Sequence, residues 1–263
     1  MFAMKIVFLR HKRFFYSVFT VLALLYALLA ADSCTSRVVQ YDRNELKMPQ
    51  RAYIGAQDTP RYQALRQKYG NKKKLPKGFE LQALIALSHY PQLRNTRITF
   101  EVVPTMIPLA SRPNPLSLLQ PWREREYLVV ISSKSSIKSV EPILLKNLSY
   151  NAQIGVLGHE LAHTVFYLDK SSLDITRIAA SYPLPSYRIK FESDTDRRAI
   201  KHGLGWQLHQ WSKETLAAFG RDEEDQNDKQ STIERSYLSP SQIEEFMKKL
   251  PQYQNLRPNL PAE

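Results

Sequence analysis

Apolar positions along the chain recur at helical spacing in several segments and cluster in two short runs between them. The helical spacing predicts amphipathic helices at 61–69, 79–88, 206–219 and, after a cap at Ser239, 242–250. Runs rich in β-branched and aromatic residues predict strands at 97–103 and 127–132. The proline-rich segment 104–121 is predicted to lack regular structure, as a lid, a wall of a cleft or a cover for the core. Helices and strands combined in this way indicate an α+β domain.

The most regular apolar stripe predicts a buried helix over residues 148–168. Its members are Ile154, Leu157, Leu161, Val165 and Leu168. Asn147 or Ser149 is suited to cap the start of this helix. Gly155 and Gly158 each cost about 1 kcal/mol inside a helix relative to alanine. We therefore expect another element to pack closely against the helix at these glycines.

A pair of histidines on this helix carries the first candidate chemistry. His159 and His163 each follow a stripe position by two residues, which turns them about 200° away from the stripe. Side chains four residues apart on a helix point the same way, so both imidazoles can reach one metal ion. Glu160, next to the first histidine, is placed to take a proton from a metal-bound water. The alternative is a buried helix with two hydrogen-bonded histidines and a surface glutamate.

A second helical segment supplies acidic residues one helical turn apart. Glu192 and Asp196 share a face of this helix, which is expected to end at Gly203. Pro183 and Pro185 are expected to set its entry angle. A catalytic zinc needs a third protein ligand, which Glu192 can provide, and Asp196 can accept a hydrogen bond from the non-ligating nitrogen of a zinc histidine. The alternative is an acidic, solvated first turn that the helix dipole favours.

Together, the two motifs resemble those of the gluzincin metallopeptidases. The chain reads His-Glu-Leu-Ala-His at 159–163 and Glu-x-x-Thr-Asp-Arg-x-Ala at 192–199. This is most similar to the branch that holds the CAAX prenyl endopeptidases, the HtpX-type membrane proteases and the minigluzincins. That branch typically has alanine where this chain has Thr195. The resemblance covers roughly residues 147–205, and the several membrane spans of the first two groups have no counterpart in this sequence, so their membrane-embedded substrates are not carried over.

The resemblance implies a fold, a metal and roles for particular residues. The expected fold is a zincin-like, minigluzincin-type α+β single domain, in which the active-site helix packs on a small mixed sheet. One Zn2+ per chain would be held by His159, His163 and Glu192. Glu160 would be the catalytic general base, and Asp196 would hold a zinc histidine in place.

The family also leads us to expect an oxyanion donor and a strand that binds the substrate. Family sites often use a tyrosine, histidine or arginine as the donor, and Tyr187, Arg188 and His202 are the candidates here. His202 equally suits a helix C-terminus as a favourable cap. The run from Tyr127 to Ser132 resembles the edge strand along which gluzincins bind extended peptides. Its continuous apolar character fits an interior strand equally well.

The N-terminus has the pattern of an export signal. Basic residues precede an apolar run at 14–31, which suits either a signal peptide or a retained membrane anchor. Cys34 is placed as the lipidated cysteine of a bacterial lipoprotein, although Asp32 stands where a small residue is usual. A lipoprotein, an anchor and simple secretion all place the rest of the chain outside the cytoplasm if the basic end stays inside. We therefore predict the cell envelope, facing the periplasm or the exterior, with membrane contact through the N-terminus.

Composition narrows the range of partners. Cys34 is the only cysteine, so no internal disulfide can form. The formal net charge is +12, but the lysine run at 72–74 is too short to indicate a nucleic-acid-binding face, and an export signal argues against that role. A membrane, a cell-wall polymer or an acidic substrate suits the charge better, and an ordinary solvated surface accounts for it most simply.

The expected organisation places one catalytic domain between a tether and a linker. The predicted parts are a signal peptide or anchor at 1–33, a tether at 34–74, a zinc metallopeptidase domain at 75–220, an acidic disordered linker at 221–238, and a C-terminal helix and tail at 239–263. The predicted function is zinc-dependent hydrolysis of peptides or proteins in the cell envelope, as an endopeptidase. The alternative is a non-catalytic envelope binding or assembly protein with the same fold. Glu160 distinguishes the two, because catalysis needs it and metal binding does not.

Overall fold

A computed structural model describes residues 45–120, 124–220 and 236–254 of the chain. These residues form an α+β fold of helices and a four-stranded mixed sheet. This confirms the predicted class and the small mixed sheet for those residues. The predicted signal or anchor at 1–33 and the candidate lipidation site Cys34 lie outside the described residues. In the three described ranges, no helix is both long and apolar enough to cross a membrane.

The sheet has the strand order β1-β2-β4-β3. Its strands are β1 (Lys73–Lys74), β2 (Arg97–Val103), β3 (Leu109–Pro113) and β4 (Glu126–Ser132). The pairs β1–β2 and β2–β4 are parallel, whereas β3 and β4 are antiparallel. The two predicted strands are confirmed, because they correspond to β2 and β4.

Of the two alternatives for the run from Tyr127 to Ser132, the interior strand is confirmed and the edge strand is wrong. This run lies in β4, which pairs with β2 on one side and with β3 on the other. The edge strand next to β4 is β3, which lies inside the proline-rich segment that was predicted to lack regular structure, and the other edge strand is β1. Pro113 ends β3, and an edge strand tolerates proline because its N–H groups need no partner on the open side.

The helices are joined in places by short 3₁₀ turns. They are α1 (Gly55–Asp58), α2 (Tyr62–Tyr69), α3 (Glu80–Leu87), α4 (Tyr150–Tyr167), α5 (Ser172–Ser181), α6 (Pro185–Ala199), α7 (Gly205–Ala218), α8 (Pro240–Lys248) and α9 (Pro251–Gln254). The sequence did not predict α5. Its start is fixed by a capping box between Ser171 and Asp174, shortly after the end of the helix predicted over 148–168.

Helix α4 is buried along most of its length, and its start and its glycines fit the sequence predictions. Ser149 caps it by accepting a hydrogen bond from the backbone N–H of Ala152. A Cβ atom at Gly155 would lie 2.2 Å from the carbonyl oxygen of Gln207, and one at Gly158 would lie 2.3 Å from Leu204 Cδ1. The close neighbour expected at the two glycines is therefore α7 with the turn before it.

A π-helical turn, Ile200–Leu204, redirects the chain between α6 and α7. Gly203 has a φ of 88°, and a Cβ there would lie 2.7 Å from the carbonyl oxygen of Lys47. Position 203 therefore requires glycine for both its conformation and its close packing. This confirms the predicted end of the ligand helix.

The hydrophobic core extends beyond the predicted domain of 75–220. Tyr53 and Leu65 join it from the N-terminal side, and Ile243, Met247 and Tyr253 join it from the C-terminal side. The tether prediction is therefore wrong for residues 45–74, and the C-terminal helices belong to the same folded unit. Polar residues dominate both flanks, so the few side chains that reach the core did not stand out in the sequence. Of the predicted linker, 221–235 lies outside the described residues.

Candidate metal centre

Two histidines of α4 and one glutamate of α6 converge on a single buried point. The Nε2 atoms of His159 and His163 lie 3.0 Å apart, and they are 3.0 and 3.1 Å from Oε2 of Glu192. All three side chains are buried. This group could hold a metal ion, since each residue offers one ligand atom and the atoms lie within 4.8 Å of one another.

Neighbouring groups on α6 determine which nitrogen of each ring faces this point. His159 Nδ1 is 2.7 Å from Oδ1 of Asp196, and His163 Nδ1 is 3.2 Å from the hydroxyl oxygen of Thr195. The Thr195 hydroxyl donates to the carbonyl oxygen of Phe191, so it accepts from the histidine ring. With a proton on each Nδ1, both Nε2 lone pairs point at the carboxylate of Glu192. Three acceptors that face one another repel unless a cation lies between them.

The pKa shifts of the cluster agree with this geometry. Burial lowers the pKa of His159, but the carboxylates of Asp196 and Glu192 outweigh it and raise the pKa to about 10. Burial raises the pKa of Glu192, but the two histidines outweigh it and hold the pKa well below its usual range. Both shifts favour a positive charge among these side chains.

Glu160 lies beside the cluster with one oxygen free. Its side chain is buried, and its Oε2 atom has no hydrogen-bond partner among the described residues. Burial raises the pKa of Glu160, opposed by His163, by His159 and by a backbone hydrogen bond from Ser111 of β3. The alternative of a surface glutamate is therefore wrong. A buried carboxylate with an unused oxygen and a raised pKa is suited to exchange a proton with a ligand.

The C-terminal part of the chain completes the surroundings of His159. Asp196 uses its second oxygen, Oδ2, to accept a hydrogen bond of 2.7 Å from the backbone N–H of Leu238. The carbonyl oxygen of Leu238 in turn accepts from Ser212 of α7 at 3.0 Å. The carboxylate that orients His159 is thus held by Leu238, the last residue of the predicted disordered linker, so that prediction is wrong for this buried residue.

Sequence reasoning missed two tyrosines at the site. The Tyr182 hydroxyl donates a hydrogen bond of 2.6 Å to Oε1 of Glu192, the oxygen that does not face the histidines. The ring of Tyr237 lies 5.4 Å from that of His159, and burial followed by the charge of Glu192 raises the pKa of Tyr237 well above its usual range. Tyr182 was hidden in a proline cluster, and nothing in the sequence connects Tyr237 with the metal ligands.

The three predicted oxyanion donors have different surroundings. Tyr187 stacks on Phe191, with ring centroids 6.0 Å apart. Arg188 lies close enough to Tyr182 to lower the pKa of that hydroxyl, against the larger effect of burial. These two residues stay candidates, because they lie next to side chains that contact the cluster.

The prediction for His202 is wrong, because both of its ring nitrogens are used elsewhere. Its Nδ1 donates to the carbonyl oxygen of Arg198 at 2.8 Å, and its Nε2 accepts from the amide nitrogen of Gln92 at 2.7 Å. Its ring lies against Tyr90, with centroids 4.7 Å apart. His202 lies in the π-helical turn, which directs its side chain away from the metal ligands. A π-helical turn inside a run of helical residues has no distinct sequence pattern, so the sequence did not predict it.

Chemically, the site combines two imidazole nitrogens, one carboxylate oxygen and a second carboxylate with a free oxygen. The first three can hold a metal ion, and the fourth can accept or donate a proton next to it. Comparison of the chain with protein-family models, with curated proteins and with solved structures finds no match.

Proposed function

We propose that this protein is a zinc-dependent peptidase of the gluzincin type, with a zincin-like fold. The observation that carries the proposal is the convergence of His159, His163 and Glu192 on one point, with the unpartnered oxygen of Glu160 beside it. Two histidines and one glutamate form a ligand set of catalytic zinc that leaves one position open. A cluster with a structural role alone would not require a buried carboxylate with a free oxygen.

The spacing of the ligand atoms supports zinc. Atoms bound to zinc at about 2.1 Å and at tetrahedral angles lie roughly 3.4 Å from one another. The three distances here are 3.0, 3.0 and 3.1 Å, so a small outward movement accommodates the ion. Imidazole ligands disfavour magnesium and calcium, which prefer oxygen. Iron(II) also binds two histidines and a carboxylate, so metal analysis is the first part of the test.

Proton transfer is the role that the structure supports for Glu160. When bound, zinc supplies Lewis acidity at the scissile carbonyl and makes an attacking water more acidic. The free oxygen of Glu160 accepts the water proton and then passes it to the leaving amine. The raised pKa of this carboxyl group suits a group that must hold the proton between the two steps.

The remaining residues orient the ligands and supply a donor. Asp196 and Thr195 hold the histidine rings, and Tyr182 holds Glu192 through its second oxygen. The hydroxyl of Tyr237 stays protonated because burial raises its pKa, so it is a candidate donor to the developing oxyanion, alongside Arg188.

The open edge of β3 is the place where a peptide substrate would bind. Ser111 of β3 contacts α4 through a hydrogen bond of 2.9 Å between its hydroxyl and that of Thr164, and its backbone reaches Glu160. A peptide that added to this edge as a further strand would therefore pass close to the general base. The apolar run at 14–31, with basic residues before it, supports a location of this activity in the cell envelope.

Metal content and hydrolysis test the proposal together. We expect one zinc per chain in the parent protein and in Glu160→Gln, a clear loss of zinc in Glu192→Ala, and hydrolysis of a peptide library by the parent alone. Replacement of the general base should lower the rate by at least a hundredfold. Iron in place of zinc, or full zinc in Glu192→Ala, would refute the gluzincin site. Zinc in the parent with no hydrolysis that depends on Glu160 would favour the non-catalytic envelope protein.

A further inference from the structure

Exposed apolar side chains concentrate at one end of the sheet, where β2 ends and β3 begins. These side chains are Val102, Val103, Met106, Ile107 and Ile137, and we call them the apolar tip. Met106 is 65% exposed and Ile107 is 56% exposed. Single exposed apolar residues are ordinary on protein surfaces, whereas a contiguous group marks a surface that another molecule covers.

Hydrogen bonds hold the two loops of the apolar tip together. The backbone N–H of Ser132 donates to the carbonyl oxygen of Pro108 at 2.8 Å. The Ser135 hydroxyl donates to the carbonyl oxygen of Met106 at 3.3 Å and accepts from the backbone N–H of Ile137 at 3.1 Å. Ile137 is therefore fixed beside the loop that carries Met106, and the tip is an ordered surface.

Two exposed lysines lie in the loop that carries Ile137 of the apolar tip. Lys134 and Lys138 are exposed, and no salt bridge within the described ranges uses either of them. Glu141, the acidic residue of the same loop, is paired with Lys146 at 2.8 Å. The surface thus combines projecting apolar side chains with the exposed, positively charged side chains of Lys134 and Lys138. That combination is typical of proteins that bind at the interface of an anionic bilayer.

The length of chain before the described residues limits how far the folded part can be from a membrane. The apolar run at 14–31 is a predicted anchor, and Cys34 is a predicted lipidation site. Thirteen residues, 32–44, separate that run from the first described residue, and such a length spans at most about 45 Å. Either attachment would keep the folded part within reach of the bilayer surface.

We propose that the apolar tip docks on a membrane surface that contains anionic lipid. Met106, Ile107 and Ile137 enter the boundary between headgroups and acyl chains, and Lys134 and Lys138 face the lipid phosphates. A second copy of the chain suits the surface less well, because the lysines of the two copies would be brought together. This inference does not depend on the proposed peptidase activity.

A site-specific probe tests the docking in the full-length protein. In a Cys34→Ser background the chain has no other cysteine, so Ile107→Cys can carry a single environment-sensitive fluorophore. Leu116→Cys is the matched control, because Leu116 is an equally apolar residue, 80% exposed, that follows the opposite end of β3. Each labelled protein is reconstituted into vesicles of phosphatidylcholine alone or with phosphatidylglycerol, and emission and quenching by brominated lipid are measured.

Docking predicts a different response at the two positions. We expect blue-shifted, lipid-quenched emission at position 107 only with phosphatidylglycerol, and water-like emission at position 116 in both vesicles. Lys134→Gln combined with Lys138→Gln should lower the ratio of docked to undocked protein by about 25-fold, or fivefold per lysine. Water-like emission at 107 in every vesicle would overturn the proposal. So would no effect of the lysine substitutions, or a blue shift that appears without vesicles as the protein concentration rises, which would indicate a second copy.

Discussion

His159, His163 and Glu192 converge on one buried point, which we call the metal point. Each of these candidate ligands directs one atom to that point and uses another atom to contact a neighbour that orients it. Asp196 holds His159 and Thr195 holds His163, each through the ring nitrogen Nδ1. Thr195 stands where the gluzincin branch typically has alanine, and the structure gives its hydroxyl a role parallel to that of Asp196. Tyr182 does the same for Glu192 through the oxygen Oε1. These contacts pre-orient the ligands, which is the property that sets metal affinity in protein sites.

Tyr182→Phe should weaken zinc binding without unfolding the protein. The change removes the hydroxyl that bonds to Glu192 and keeps the ring, so we expect roughly a tenfold loss of affinity. Competition with a chromogenic chelator measures it. Tyr187→Phe is the matched control. The Tyr187 ring stacks on Phe191, and this variant protein should bind zinc with the affinity of the parent. Equal affinities in all three proteins would mean that the hydroxyl of Tyr182 does not orient the ligand.

At the scale of elements, the metal point depends on how closely α4 approaches α7. The glycines of α4 let the backbone of α7 come into direct contact, and the π-helical turn before α7 places Leu204 against Gly158. The Tyr90 hydroxyl also donates to the carbonyl oxygen of Gly158, one residue before the first histidine. Packing of α7 and Tyr90 against α4 therefore fixes the backbone of α4 immediately before His159.

Gly155→Ala should destabilise the protein by about 3 kcal/mol. The new methyl group would lie 2.2 Å from the carbonyl oxygen of Gln207 and 2.9 Å from the backbone nitrogen of Leu208, and backbone atoms cannot move aside as a flexible side chain can. Urea denaturation of the metal-free protein gives the change in the free energy of unfolding. Gly55→Ala is the control, because a Cβ there meets only Tyr150 at 3.8 Å. A Gly155→Ala protein as stable as the control would show that the two helices can separate.

At the scale of the whole molecule, segments distant in the sequence are joined behind the metal centre. His89 donates from Nδ1 to the carbonyl oxygen of His202 and accepts at Nε2 from the hydroxyl of Tyr53, both at 2.7 Å. Tyr253 similarly donates to the carbonyl oxygen of Ile200 at 2.7 Å. The N-terminal and C-terminal segments are thus held to the turn that connects α6 and α7.

The buried histidines should make stability depend on pH. Burial lowers the pKa of His89 to about 3 and that of His202 to about 4. Both values lie below that of an exposed histidine, about 6.5, so the unfolded chain binds more protons below this pH and the free energy of unfolding falls. Between pH 6.5 and 5 we expect a loss of about 2 kcal/mol per histidine.

Urea denaturation of the metal-free protein at several pH values measures this effect. His202→Gln should lose about half of the pH dependence, because one of the two buried, neutral histidines is removed. An unfolding free energy that stays constant from pH 7 to pH 5 would contradict the neutral, buried state of His89 and His202.

A chain that ends at residue 220 should fail to form the metal centre. It lacks Tyr237, the backbone N–H of Leu238 that bonds to Asp196, and the core residues Met247 and Tyr253. We expect it to lose its cooperative thermal transition and its zinc, whereas a chain that ends at residue 254 should retain both. Circular dichroism and metal analysis measure the two properties. A stable, zinc-loaded chain ending at 220 would mean that the residues after 220 are not needed for the metal centre.

The elements that depend on local spacing could be predicted from the sequence alone. The stripe of α4, the cap at Ser149, the strands β2 and β4, and the shared face of Glu192 and Asp196 follow from helical and strand periodicity. The same periodicity placed His159, Glu160 and His163 on one helix. These features could be predicted because each depends on residues no more than a few turns apart.

Which of these elements meet depends on contacts between segments that are far apart in the chain. These contacts made β3 an edge strand, turned His202 away from the metal point, and brought Tyr182 and Tyr237 to it. Strand order, the π-helical turn and the return of the C-terminal segment depend on contacts between residues far apart in the chain, which leave no periodic signal in the sequence. For this reason the sequence motifs predicted the candidate ligands His159, His163 and Glu192, whereas packing between distant segments decided which side chains surround them.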